Sequence, residues 1–192
     1  MKPRKPKKCK VCEKQFNPTL STQKVCSPSC AIVFAGKERQ AKEAKARHKA
    51  LREGREALKT NSQLKKEAQA QFNRYIRLRD EKENTPCPTC GTFSPSYKGR
   101  GGNWDAGHWL SRGSHPEHIF DEQNVVRQCK KCNTYGFSSA RFRQAIIDRF
   151  GQDAVDRLEG PNELPRYRAE DFRRIKKEYA EKCKEISRLT TT

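Results

Sequence analysis

Eight of the nine cysteines fall into four close pairs: Cys9 and Cys12, Cys26 and Cys30, Cys87 and Cys90, Cys129 and Cys132. Three pairs have C-x2-C spacing and one has C-x3-C. Such spacing lets two thiolates converge from a tight knuckle onto one tetrahedral zinc. The residues between them, such as Ser27-Pro28-Ser29 and Pro88-Thr89, suit the turn. Disulfides in a secreted chain are the alternative. The basic start, Met1 to Lys10, is not followed by the apolar stretch of a secretory signal, which favours zinc in a reducing cytoplasm. The grouping expected is Cys9, Cys12, Cys26 and Cys30 on one zinc, with Cys87, Cys90, Cys129 and Cys132 on a second. Crossing the groups would require spanning a long helix. Four thiolates leave no open coordination position, so both zincs are expected to be structural. Cys183 stands alone on an apolar helical face and reads as a small core residue.

Around the second cysteine set the order is Cys87-Pro-Thr-Cys90, Asp105-Ala-Gly-His108, Asn124, then Cys129-Lys-Lys-Cys132-Asn133. This order resembles the HNH, or ββα-metal finger, nuclease family over residues 86 to 137. The resemblance implies that His108 is the general base that activates water against a phosphodiester. It implies that Asn124 restrains the loop that orients the histidine, and that Asn133 is a ligand of a catalytic Mg²⁺ or Mn²⁺. The chemistry is coherent. Neutral imidazole is a competent base near pH 7, and a hard oxygen ligand suits Mg²⁺ or Mn²⁺. One departure stands out. The commoner HNH pattern has Asp immediately before the histidine, as a metal ligand, and here that position is Gly107. Asp105 and His108 would face opposite sides of a regular strand. A bulge or bend at Gly107 could swing Asp105 toward the metal, the reading favoured here; the alternative is that Asp105 only positions another group.

Other residues around the motif suit nucleic acid. Arg112, close to His108, reads as a phosphate clamp. His115 and His118 lie in a polar loop, where they could touch phosphate or assist the metal. Lys130 and Lys131, between the last two cysteines, are expected at DNA. Trp104 and Trp109 flank a strand, where packing is the first role and stacking on an unpaired base the second. His48 sits in a basic helix and reads as solvated.

These groups need elements to hold them. Of 192 residues, 42 are Lys or Arg and 23 are Asp or Glu, a net charge of +19. Only 33% are hydrophobic, below the roughly 45–50% apolar content of ordinary domains. No apolar run is long enough to span a membrane. Such a chain is expected to be mainly α, with small zinc-stabilised modules and a polyanion, by default nucleic acid, as partner. Residues 1–33 read as an N-terminal four-cysteine zinc finger and 34–83 as a long basic helical region, acting as a solvated spacer or a DNA-facing arm. Thr60-Asn61-Ser62-Gln63 breaks that region with a new N-cap. The face carrying Leu64, Phe72, Tyr75 and Ile76 should dock on the next domain. Residues 84–140 read as the HNH module, with strand character from Trp104 to Leu110 and a mobile turn at Lys98-Gly-Arg-Gly-Gly102. Residues 141–192 are a C-terminal helical region, whose last helix carries a stripe of Phe172, Ile175, Tyr179, Cys183 and Ile186.

A closer resemblance spans nearly the whole chain. Trp104-Asp-Ala-Gly-His108-Trp-Leu-Ser-Arg112-Gly, His115-Pro-Glu, Phe120-Asp-Glu, Asn124 and Gln128-Cys-Lys-Lys-Cys132-Asn133 are similar to the NinG (Rap) recombination proteins of lambdoid phages. In that family Asp-Ala-Gly-His is the usual arrangement. The resemblance implies a phage-encoded, structure-specific endonuclease of branched DNA, cutting Holliday junctions and D-loops in the cytoplasm of a bacterial host. Two symmetric nicks call for a two-fold assembly, hence a homodimer on the junction. Two other readings stay open. One is an HNH nuclease of unbranched or nicked duplex DNA. The other is a non-catalytic, zinc-dependent DNA-binding recombination accessory protein.

Overall fold

A computed structural model describes residues 5–97, 102–136 and 138–189. Lys2 and Arg4 of the basic tail, and most of the turn expected at 98–102, lie outside the described residues. The chain forms two compact units, Met1–Lys59 and Thr60–Thr192.

In the first unit a short antiparallel ribbon pairs β1 (Lys7–Lys8) with β2 (Gln15–Phe16). Cys9 and Cys12 lie in the turn between them. A 30-residue helix, α1 (Pro28–Ala57), follows. Its N-cap is Ser27, whose side chain accepts the Cys30 N–H, and Pro28 occupies the first turn, where its missing N–H costs nothing. Cys30 is therefore inside the helix rather than before it. No residue of α1 is buried, and Ile32 and Leu51 are exposed. That is what an Ala/Lys/Glu/Arg sequence with no apolar stripe dictates.

The second unit begins at the expected break. Thr60 accepts the Gln63 N–H, and the Gln63 side chain accepts the Thr60 N–H at 2.9 Å, a reciprocal capping box. Helix α2 (Asn61–Lys82) starts there. Strands β3 (Trp104–His108) and β4 (Val125–Cys129) form an antiparallel ribbon. Helices α3 (Lys130–Tyr135), α4 (Ser139–Phe150), α5 (Gln152–Glu159) and α6 (Ala169–Leu189) complete it. Among the described residues no helix is long and apolar enough to cross a membrane.

The ribbon is buried on both faces, so every residue of β4 is buried. Alternate side chains point to opposite sides. Val125 joins a core of Leu64, Ala68, Phe72 and Ile76 from α2 with Phe172, Ile175 and Tyr179 from α6. Val126, next in sequence, joins a second core of Trp109, Phe142, Ile146, Val155 and Leu158, under α4 and α5. The stripe of α6 is thus core, and Cys183 is buried on it. Both tryptophans pack: Trp109 in the second core, Trp104 under the Arg127 guanidinium at 4.3 Å.

Two acids, one buried and one partly buried, tie these elements together. Asp80 of α2 is wholly buried and accepts from Arg79 Nε (2.6 Å), Arg149 of α4 (2.7 Å) and the Arg127 N–H of β4 (2.6 Å). Glu122, ahead of β4, accepts from Tyr75 of α2 and from Tyr179 and Lys182 of α6. These contacts set the ribbon and its approach loop against α2.

Candidate active site and metal centres

Each cysteine set converges as its spacing demands. Within Cys9, Cys12, Cys26 and Cys30, and within Cys87, Cys90, Cys129 and Cys132, all four sulfurs lie within 4.8 Å of one another. The Cys12–Cys26, Cys26–Cys30 and Cys90–Cys129 sulfurs are 3.5, 3.8 and 3.8 Å apart. A tetrahedron with Zn–S bonds of about 2.3 Å requires sulfurs about 3.8 Å apart, so the donor sets fit zinc. All nine cysteines are free thiols. The neighbouring Cys12 sulfur and burial push the Cys26 thiol up to about 12, since crowded sulfurs cannot all ionise until a cation joins them.

The two C-x2-C knuckles share one backbone frame. Cys9 N–H donates to Lys14 O and Glu13 N–H to Cys9 O; Cys87 N–H donates to Thr92 O and Gly91 N–H to Cys87 O. The fourth residue after the first cysteine has positive φ in both, +60° at Glu13 and +73° at Gly91. Glycine adopts that conformation freely, whereas a glutamate is strained there. At the second site Cys129 caps α3 by accepting the Cys132 N–H. The second cysteine cluster therefore includes the residue that caps the helix carrying Asn133.

The candidate catalytic residues divide between the faces of the ribbon. Pairing runs without interruption from Trp104 opposite Cys129 to His108 opposite Val125. The bulge expected at Gly107 is therefore absent. Gly107 has a different reason: a Cβ there would lie 2.5 Å from Gln128 Oε1 and 2.8 Å from Gln128 Cβ. The Gln128 side chain uses that space to donate to Thr89 Oγ1, between Cys87 and Cys90, at 2.7 Å. With the register unbroken, Asp105 stays on the face opposite His108. It meets Asn133 Nδ2 at 3.1 Å and Lys130 Nζ at 2.6 Å. Asp105 and Asn133 are thus brought together as expected, but His108 is not placed with them. Lys130, expected at DNA, is instead spent on this ion pair; Lys131 is exposed.

His108 points toward α2, its ring centroid 6.5 Å from that of Phe72. Its Nε2 is 3.3 Å from the Ile119 carbonyl oxygen. A carbonyl only accepts, so the neutral ring carries its proton on Nε2 and keeps the Nδ1 lone pair. Burial first, then nearby Arg112, lower its pKa to about 4, against the Ile119 contact. Asn124 is fully buried and holds the loop that follows His108: its Oδ1 accepts the Leu110 N–H at 2.8 Å, and its Nδ2 donates to Leu110 O and His118 O.

The loop histidines differ from one another. His118 is buried, with Nε2 3.0 Å from Leu158 O, so it fastens the loop to α5 and is not available to phosphate or metal. His115 is half-buried and meets Glu117 through Nδ1 at 3.0 Å. Arg112 is exposed and lines a groove with residues of α2. Two residues carried no sequence signal as site residues. Gln69 of α2 is buried and directs Nε2 at the Ile119 oxygen that also faces His108, at 3.5 Å. Gln128 looked like any strand residue. The only hint at Gln69 was a polar residue beside Ala68, on the edge of the apolar stripe.

The model of the family described as "Bacteriophage Lambda NinG protein" matches residues 1–189. The chain belongs to the NinG family. Protein ninG of Escherichia phage 933W is 34% identical over 196 residues, covering 94% of this chain and 93% of the relative. Protein ninG of Escherichia phage lambda is 34% identical over 198 residues, with the same coverage, as is that of Salmonella phage P22. No solved structure matches. The NinG match takes in both cysteine clusters and the whole Asp105–Asn133 segment.

Proposed function

We propose that this NinG protein is a metal-dependent, structure-specific endonuclease of branched DNA, and that residues 87–133 carry its chemistry. The observation that bears most weight is the setting of His108. Its proton is held on Nε2 by the Ile119 carbonyl, in a loop pinned by Asn124. Burial keeps the ring neutral at pH 7. The Nδ1 lone pair takes a proton from water as the water oxygen attacks phosphorus, and the P–O bond to the departing sugar oxygen breaks. Arg112 binds a phosphate oxygen, and His115 and Lys131 are exposed enough to touch the backbone nearby. Asp105 and Asn133 would hold Mg²⁺ or Mn²⁺, an oxygen pair suited to an ion that keeps several waters. An ion held there would supply positive charge to DNA phosphate on the ribbon face opposite His108. The cysteine clusters hold structural zinc and take no part in the reaction. The charge of +19 suits phosphate contacts on several duplex arms, made by a homodimer in the host cytoplasm.

One observation favours a second reading. Asp105 is neutralised within the protein by Lys130 and lies across the ribbon from His108. That suits a positioning residue, and with it a DNA-binding recombination accessory protein without catalysis. The deciding experiment compares wild type and His108→Ala on a four-way junction with Mg²⁺. The catalytic reading expects equal binding and loss of cutting; undiminished cutting by the variant overturns the assignment. A linear duplex of the same sequence cut at the same rate would instead make the enzyme an HNH nuclease without branch specificity.

A further inference from the structure

Several cations of the second unit are paired with acids within the protein. Arg79 and Arg149 meet Asp80, Lys130 meets Asp105, Arg143 meets Glu159, Arg157 meets Asp121, Lys176 meets Glu67 and Lys182 meets Glu122. Lys65, Lys66 and Arg112 are among those that are not, and they share one groove. None has an acidic partner among the described residues, and the groove, of about 600 Å³, lies between the first turns of α2 and the loop after Trp109.

The helix builds its wall by spacing. Ser62, Lys65, Lys66, Gln69 and Asn73 recur at steps of three and four, so they form one polar stripe. The apolar stripe of the same helix, Leu64, Ala68, Phe72 and Ile76, faces the core. Lys65 and Lys66 are exposed and sit in the first two turns, where the positive end of the helix dipole adds to their charge. Opposite them stand Arg112 and Gly113. The floor includes Gln69 and Ile119, the two residues that meet at the carbonyl anchoring His108. The groove therefore runs past the backbone atom that orients the candidate base. Its polar lining consists of cations, amides and a hydroxyl, set beside Ala70, Gly113 and Ile119. That lining suits a phosphodiester backbone rather than a base edge or an apolar ligand.

We infer that the groove between α2 and the 110–119 loop is the track for the DNA strand to be cut, with Lys65 and Lys66 as phosphate contacts opposite Arg112. This rests on the endonuclease reading only for the fate of the strand, not for its binding.

The test uses the full chain and a four-way DNA junction without divalent ions, so that binding is read apart from cutting. Lys65→Gln/Lys66→Gln removes two exposed charges and leaves the packing of α2 intact. Each phosphate contact contributes about 0.9 to the slope of log affinity against log salt. The double variant should therefore bind more weakly at 100 mM salt, with a slope shallower by about 2. Lys177→Gln/Lys184→Gln, on exposed positions of α6, loses the same net charge and serves as the control. An unchanged slope in the groove variant, or an equal loss in the control, overturns the inference. Cutting by each protein is then measured with Mg²⁺. Groove-dependent binding without cutting by wild type would leave the track standing and remove the nuclease reading. Cutting by wild type with groove-independent binding would do the reverse. A single-stranded RNA of the same length tests whether the track prefers DNA; tighter, slope-matched RNA binding would reassign its occupant.

Discussion

His108 is held neutral by burial, and that has a consequence for stability. Its pKa falls from 6.5 to about 4 in the folded protein. Between those values the unfolded chain binds the proton and the folded one does not, so stability rises with pH through that window. A shift of this size corresponds to on the order of 3 kcal/mol lost as the pH drops from 7 to 4. Urea unfolding at stepped pH should show wild type losing more stability than His108→Asn, which has nothing to titrate there; parallel curves would contradict the burial. Gly107 makes a second local prediction. Gly107→Ala drives a methyl into Gln128, whose Cβ cannot swing away as its amide can. The expected cost is about 1–3 kcal/mol, read as a lower Tm with both metal sites still loaded.

The helices and ribbon depend on two kinds of fastening. One is the buried Asp80, which joins α2, β4 and α4 through Arg79, the Arg127 N–H and Arg149. Asp80→Ala would take the buried carboxylate away from two guanidinium groups, leaving Arg149 with Glu83 and Arg79 with the Glu122 and Val125 carbonyls; Arg149 already has a buried nitrogen without a partner. A loss of about 3–5 kcal/mol is expected, measured by chemical unfolding. The other fastening is the pair of four-cysteine clusters, whose donor sets fit zinc. Elemental analysis should find two zincs per chain, one for each four-cysteine cluster. Cys9→Ser should remove one zinc and leave the melting of the Thr60–Thr192 unit unchanged, because its cluster lies wholly in the other unit. Cys132→Ser should remove the other zinc and loosen α3, whose first turn carries that ligand.

Charge is distributed unevenly over the molecule. The first unit carries 17 basic and 5 acidic residues, a net +12 within the total of +19. Its helix α1 buries nothing, so the charges on α1 stay in solvent. In the second unit, by contrast, acids tie many of the cations into the fold. The solvated charge suits long-range, sequence-independent attraction to DNA, and the unpaired groove cations suit local placement of a strand. If the chain makes 6–10 phosphate contacts, junction affinity should fall about 10³–10⁵-fold between 50 and 200 mM salt. A titration by fluorescence anisotropy reads this directly. A flat response would argue against backbone-dominated binding.

Much of this architecture could be read from local pattern. The cysteine pairs converge as their spacing required, because a two-residue knuckle can present its sulfurs in few ways. The Thr60–Gln63 cap and the stripes of α2, α4 and α6 formed where short-range hydrogen bonding and a 3.6-residue period demanded. The site was less legible. Asp105 and Asn133 meet, but the regular ribbon leaves His108 on its other face. Gly107 accommodates Gln128 rather than a bulge, Lys130 is consumed by Asp105, and His118 is a buried strut. Each of these outcomes depends on a partner 21 to 40 residues away along the chain, as with Gly107 and Gln128 or His118 and the Leu158 carbonyl. Spacing along a strand states which faces are available. Which face meets α2, and which meets α3, depends on burying Val125 and Val126 in separate cores.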